Sequence, residues 1–599
     1  MPVDRKASPR SRGRAGAAGA AVLAALALTI GACGSSNSSS TGVDPAQLTP
    51  ASAPVYLGAV VRPSEPLNGA ALASARALTG QPDPYARLLA LLQTPGSAKL
   101  DYARDVRPWL GERAGVFLLP AAGAGAGASG AGIGKLLELL QIEASALAAN
   151  PGQQSGSSTF PFSSAGVGGA VIVDTSDLAR ARAFVSSQAA RAGARARTYR
   201  GVSYSATGGG VALGVVHQLV VLGSESALRG VIDTAMGAAA LASAPSYASL
   251  AAAAPADALA RLYVSDQAAR AAAGASGASS ASALLTQLDE GRPLSVSLRP
   301  TANAIVLDLD TLGSPTPTSR SGLLGALREG ATALGELPAD SWLGVGLGAR
   351  AGTFGADVRN LSGVLSLLSS SVSSSSAQIS VKGLLDGFLA PLQALGADTP
   401  AARRDFQSWM TSAALFASGS GLLDLKAGVE ITSDDRARSR AAVGKLAAAL
   451  RRTGNTVTPV SIAGTDAAVA AHIPTLPIAL DIADGSDSSG HRKFVIGVGE
   501  ASVSAVLAGS ATLAGGPTTS AATAALGEGI SASATIDFPT LLSLLEGIGL
   551  TEDRTIAPVV GYLRALTTLS AGGSRPANNV QRLRISIGLR QPGAEPASP

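Results

Sequence analysis

The chain has 599 residues, 46% of them hydrophobic but only 4% aromatic, and a formal net charge of +5. A single hydrophobic core stops growing well below this length, so two or more domains are expected, with cores built from Ala, Val, Leu and Ile. Arg5, Lys6, Arg10, Arg12, Arg14 and one acid, Asp4, precede Cys33, so a chain cleaved there is close to neutral and has no global field to attract nucleic acid.

Residues 1–14 are basic, residues 15–30 are apolar or small, and Ile30-Gly31-Ala32-Cys33 follows. This is the n-region, h-region and small-residue cleavage site of an export signal. The run is too short and too rich in Ala and Gly for a membrane span, which needs about 20 strongly apolar residues. The last four residues resemble a bacterial lipobox. That resemblance implies that the Cys33 thiol takes a diacylglyceryl group and becomes the acylated N-terminus after cleavage behind Ala32. GSSNSSSTG at 34–42 then reads as a flexible polar tether. Cys33 is the sole cysteine, which excludes an intrachain disulfide.

In the first half, residues 53–62 read as a β-branched strand bounded by prolines, and 84–92 and 135–149 as leucine-rich helices. A turn around Trp109 leads into a buried-type strand at 115–119. Low-complexity loops cover 121–134 and 151–164. A strand at 171–173 precedes a helix at 178–192, with Thr175-Ser176-Asp177 as its N-cap and Gly193 as its stop. Strands at 201–206, 211–216 and 218–222, helices at 226–235 and 246–254, and a strand at 259–265 continue the order. A hairpin joins 294–299 to 304–309.

The segment from 168 to 265 recurs. Without a gap, Val171 falls on Val429, Val173 on Ile431, Asp177 on Asp435, Arg180 on Arg438, Arg182 on Arg440 and Val185 on Val443. Residues 337–348 echo the opening strand, 361–368 and 384–395 read as helices, and 494–498, 530–537 and 580–589 as strands. The expected fold is α+β: two homologous tandem domains, each a mainly antiparallel β-sheet with helices packed on one face. The expected boundaries are a signal peptide at 1–32, a lipid-anchored tether at 33–47, a first domain at 48–313, a linker and connecting helix at 314–333, the duplicate at 334–589 and a disordered tail at 590–599. Val171 and Val173 should be buried on one side, with Ala183 and Phe184 or their counterparts packed over them.

The motifs that could carry chemistry are weak. Gly125-Ala126-Gly127-Ala128-Ser129-Gly130 fits G-x-G-x-x-G but lies in an Ala/Gly tract with no acid at the ribose position, and Gly134-Lys135 lacks the Ser/Thr of a P-loop. Gly344, Gly346 and Gly348 read as a Gly-rich strand. His217, His472 and His491 are the only histidines and cannot furnish a spaced zinc cluster. His217 and His491 occupy equivalent slots, each leading into the second strand of the repeated pair, which fits either a shared site or, more simply, a turn position inherited by duplication. Asp177 and Asp435 precede helices, where capping explains them. Arg180 and Arg182, like Arg438 and Arg440, stand two apart and do not form one clamp. The clusters Arg191, Arg195, Arg197, Arg200 and Arg575, Arg582, Arg584, Arg590 read as solvated faces. No S-x-x-K or G-x-S-x-G nucleophile pattern occurs.

Pro54-Val55-Tyr56-Leu57, the W-L-G-x-R-x-G-V-F run from Trp109 to Phe117, the D-x-x-x-A-R run from Asp177 to Arg182, and V-x-G-x-x-x-A-L from Val221 to Leu228 together resemble domain of unknown function 3352. The resemblance covers most of 48–313 and, more loosely, 334–589. It implies a secreted or lipid-anchored envelope protein of actinobacterial or cyanobacterial type and lends no catalytic residue. The expected function is a non-enzymatic binding or structural module, without cofactor or metal, at the extracytoplasmic side of the cell membrane. Its expected partners are membrane lipid through Cys33 and an envelope protein or apolar ligand. The alternative is a carboxylate-based envelope hydrolase, acting for example on glycans, for which Glu112, Glu138 and Asp424 show no pairing in the sequence.

Overall fold

Short β-rich segments, several of them buried on both faces, form one 20-stranded sheet. The computed structural model describes residues 42–79, 101–119, 168–274, 292–313, 323–348, 408–421, 423–473, 478–509, 511–547, 549–552, 557–577 and 579–590. In the first half the strands are β1 Val55–Val60, β2 Leu110–Leu119, β3 Gly168–Thr175, β4 Arg195–Tyr199, β5 Val202–Ala206, β6 Val211–Val216, β7 Leu219–Ser224, β8 Ala260–Val264, β9 Leu294–Pro300 and β10 Ala304–Leu312. In the second half they are β11 Ser341–Gly348, β12 Met410–Ser418, β13 Lys426–Ser433, β14 Thr456–Pro459, β15 Thr465–His472, β16 Leu480–Ser486, β17 Arg492–Val498, β18 Ser531–Asp537, β19 Leu566–Ala577 and β20 Val580–Leu589.

Every pairing is antiparallel. Neighbours run β4-β5-β6-β7-β3-β2-β1-β8-β9-β10. The order β14-β15-β16-β17-β13-β12-β11-β18-β19-β20 follows the same scheme, shifted by ten. The two series meet where β10 pairs with β20. Among the described residues the free edges are β4, which is exposed and carries Arg195 and Arg197, and β14, which ends in Pro459. Charge and proline are two devices that keep an open edge from recruiting another strand.

Helices recur in corresponding places, among them α1 Leu178–Arg191, α2 Glu225–Ala235 and α3 Pro245–Ala253, then α4 Arg436–Arg452, α5 Gly499–Leu507 and α6 Pro517–Leu526. The expected caps form. Asp177 and Asp435 each accept the backbone N–H three residues on, at 3.0 Å. Gly193 (φ 60°) and Gly454 (φ 86°) follow the last turns in the left-handed region, where glycine carries no Cβ penalty.

Helices cover both faces of the sheet, not one. On β3, Ala170 and Ile172 are buried against Leu228, Val231 and Ile232 of α2. Val173 faces the other way, toward Trp109 and the α1 residues Ala181 and Val185. Val171 and Val173 are therefore only half-buried, and Ala183 is exposed; Ala181 and Val185 take the inward positions, with Phe184 stacked on Trp109 at 4.9 Å. The counterparts fit the expectation better. Val429 and Ile431 are buried under Val443, Leu446 and Leu450 of the longer α4, and each such aliphatic burial contributes about 1.5–3 kcal/mol.

Other departures from the sequence reading also have physical reasons. Residues 44–47 are packed, not part of a tether: Asp44 caps a turn whose Pro45 and Ala46 are buried beside Tyr56 and Phe117. Trp109 is followed at once by strand, since Leu110 already pairs with Thr175. β12 was not anticipated; its Ala/Ser-rich sequence hides the alternation, yet it lies between β11 and β13. In the connecting region the short helices Leu323–Arg328 and Ala331–Glu336 lie across β11. The helices expected at 84–92, 135–149, 361–368 and 384–395, together with residues 1–32 and the tail from 591, lie outside the described residues.

The β10–β20 seam corrects another expectation. Odd positions Ile305, Leu307, Leu309 and Leu583 enter an apolar cluster shared by both halves. Even positions carry Asp308 and Asp310 directly opposite Arg584 and Arg582. Arg582 binds both oxygens of Asp310 at 2.7 and 2.8 Å, and Arg584 those of Asp308 at 2.6 and 2.9 Å. Arg582 also donates to the Ala253 carbonyl ending α3, and Arg584 to the Leu526 carbonyl ending α6, where a cation meets the negative end of a helix dipole. Arg582 is buried and Arg584 largely so, neither of them solvated; Arg197 and Arg200, by contrast, are half-exposed and pair with Glu225 and Asp233.

Candidate functional site

An open cleft of about 830 Å³ lies between α4 and β15. Its lining is Arg436, Ala437, Arg440, Ala441, Val443 and Gly444 from the helix and Ala467, Ala468 and Val469 from the strand. Ala437, Ala441 and Gly444 of the helix are small, and Val443 and Val469 are apolar, so the lining apart from the two arginines is apolar. Gly444 faces open space, since a Cβ there would meet nothing within 4 Å. Arg436 is held by Asp466 at 3.1 Å. Arg440 is exposed at the rim and has no ion-pair partner among the described residues. The lining contains no carboxylate, hydroxyl or imidazole. The volume lies within the range of small-molecule sites, about 300–1,000 Å³.

The residues singled out in the sequence fall elsewhere, Arg440 apart. Arg180 and Arg438 lean back on their capping aspartates at 3.4 and 3.3 Å, and Arg182 is exposed. His217 sits at φ 53° in the β6–β7 turn, and His491 in the turn before β17, 3.5 Å from Asp487. The backbone N–H groups of Ser420 and Gly421 hold the Asp424 carboxyl below its ordinary range and tie it to its own loop. Glu112 offers only its backbone N–H to Asp174 at 3.4 Å. Gly344, Gly346 and Gly348 lie in strand β11. Cys33, Glu138, Gly125, Gly127, Gly130 and Lys135 lie outside the described residues.

A second polar site was not legible in the sequence. Lys493 of β17 is buried, and its Nζ donates to Glu430 Oε1 on β13, to Glu336 Oε2 at 2.6 Å and to Thr432 Oγ1 at 3.1 Å. The Thr432 hydroxyl in turn donates to Glu336 at 3.1 Å. Burial pushes the Glu430 carboxyl up to about 7 against the pull of Lys493. On the opposite face, Arg492 bridges Asp484 and Asp466, and Ser439 donates to Asp484 at 2.6 Å. Among the described residues, no group of three or more His, Cys, Asp or Glu could hold a metal ion. No described helix is long and apolar enough to cross a membrane.

A family model described as "Protein of unknown function (DUF3352)" matches residues 16–583. The chain belongs to this family. The match runs through both series of strands and so covers the cleft as well as the Lys493 site. No curated protein matches the chain. Among solved structures, crystal form I of TP0453 is similar at 10% identity, over 47% of this chain and 82% of that one, with a TM-score of 0.24. Likeness at that level carries no argument about this DUF3352 protein's fold or activity.

Proposed function

We propose that this is a lipid-anchored bacterial envelope protein of the actinobacterial type that binds an acyl-chain ligand with an anionic head, without catalysing a reaction. The observation that carries this reading is the lining of the α4–β15 cleft: an apolar floor, two arginines and no group able to act as acid, base or nucleophile. The chain of such a ligand lies along Val443 and Val469, and its head meets Arg440. The carboxylate-hydrolase alternative has less support, because Glu336 with Glu430, and Asp466 with Asp484, are each bridged by a cation and lie outside this lining. The recurring strand order and helix caps support a tandem duplication, with the boundary between the two copies falling within residues 314–333 of the sequence.

A fluorescent fatty-acid probe tests the cleft. Wild type should bind it saturably, and Gly444→Leu should weaken binding at least tenfold by filling the floor. Gly444 is helical and faces open space, so the same substitution should raise stability by up to about 1 kcal/mol. Arg440→Glu should weaken binding while leaving stability unchanged. Equal probe affinity in wild type and Gly444→Leu would overturn the assignment.

Membrane attachment tests the anchor. Cys33→Ser removes the thiol needed for acylation, so the variant should remain unprocessed, or leave the membrane fraction and lack the lipid mass. Stable attachment takes two membrane-binding signals, because one chain binds only marginally. Equal membrane retention with equal lipid mass in both proteins would sink the anchor.

A further inference from the structure

The Lys493 site is not required by the sheet that holds it. On the register, Glu430 lies opposite Val495 and Thr432 opposite Lys493. In the first half, Ile172 lies opposite Val221 and Asp174 opposite Leu219. The positions of Glu430 and Lys493 are thus occupied there by Ile172 and Leu219, both fully buried in an apolar cluster. One scaffold accommodates both solutions, and a buried ion pair is commonly no more stabilising than the apolar residues that could replace it. Glu430 Oε2 is also buried with no hydrogen-bond partner, an arrangement that costs free energy as long as the carboxylate stays intact.

We infer that Lys493 and Glu430 condense to an intramolecular isopeptide bond, with Glu336 as the proton-transfer group. Burial pushes the Glu430 carboxyl up, while, against burial, Glu430 and Glu336 hold the Lys493 ammonium above its ordinary range; the reaction starts from the form in which one proton has passed from Nζ to Glu430, leaving amine and carboxylic acid side by side out of water. The lone pair of Nζ attacks Cδ of Glu430, and the C–N bond forms as the carbonyl electrons move to oxygen. The Glu336 carboxylate, already in contact with Nζ, takes a proton from the nitrogen and delivers it to the departing hydroxyl. That oxygen leaves as water, the carbonyl re-forms and Glu336 returns to its starting state. The ammonium and carboxylate become an amide and one water; nothing is oxidised or reduced, and no co-reactant enters. The reaction removes two buried charges and one carboxyl oxygen from the site. The Glu336 side chain is 27% exposed whereas Lys493 is 1% exposed, which gives the water and the proton a route out.

The test is peptide mass spectrometry of the full chain, denatured and digested with trypsin. The expected product is peptide 427–436, which holds Glu430, joined to a peptide that begins at Lys493 and is uncut after it. Its mass is lighter than the sum of the two by one water. Lys493→Arg should abolish it, and Glu336→Gln should abolish or greatly slow it in a protein whose circular dichroism matches wild type. Separate wild-type peptides with cleavage after Lys493 would overturn the inference, and this measurement does not depend on any variant folding. A link from Lys493 to peptide 329–350 would overturn the roles given to the two glutamates.

Discussion

Arg582→Met is expected to destabilise the protein by about 3–5 kcal/mol, because it leaves an uncompensated charge in the middle of the sheet. Asp310 is fully buried and receives two hydrogen bonds from Arg582. Burial already pushes its carboxyl up, and Arg582 holds it back. The variant also strips the Ala253 carbonyl of its donor at the end of α3. The double variant Arg582→Met, Asp310→Leu should recover most of the loss, since two apolar side chains of similar volume need no partner. Urea-unfolding midpoints check this. A single variant as stable as wild type, or a double variant no better than the single, would show that the seam does not depend on this pair. The pairing also explains specificity. Both acids are on β10 and both arginines on β20, so a second copy of β10 would place carboxylates against carboxylates, and a slip by one residue would turn every partner to the wrong face.

Gly346→Val should cost about 3 kcal/mol, at the upper end for overpacking. A Cβ at Gly346 would lie 2.0 Å from the Gly330 carbonyl oxygen and 2.5 Å from the Leu334 nitrogen. Both are backbone atoms of the connecting segment and cannot rotate away. The reciprocal contact is as close, with a Cβ at Gly330 lying 1.9 Å from the Gly346 oxygen. The segment 330–336 would have to lift from β11, exposing Leu334 and Ala333 and withdrawing Glu336 from Lys493. Thermal unfolding followed by circular dichroism reads the effect; an unchanged midpoint would mean that helix and strand are not in contact in solution. Gly444→Leu is the internal contrast: one residue type, one chain, opposite signs, decided by what stands within 4 Å.

What the sequence determined by itself is local. Asp177 and Asp435 could be read as caps because an N-cap needs only a side-chain oxygen and the amides three residues on. The strand at Val580–Leu589 and the helix stop at Gly193 likewise follow from short-range stereochemistry. Recurrence of the 168–265 pattern was legible because identical spacing survives in one dimension, and the membership of the DUF3352 family was legible for the same reason.

Tertiary structure decided everything that depends on a distant partner. Arg582 looks like any solvated arginine until Asp310, 272 residues away, is placed opposite it. Lys493, Glu430 and Glu336 come from three separated segments: the β13–β17 register brings the first two together, and the helix Ala331–Glu336 packed across β11 delivers the third. The second covered face was hidden because a strand between two helix layers has no polar side to betray it. In the cleft, Arg440 and Val469 are brought together by α4 packing across β15. Charge, size and period are properties of a residue and its neighbours, whereas burial is a property of whatever arrives from elsewhere in the chain.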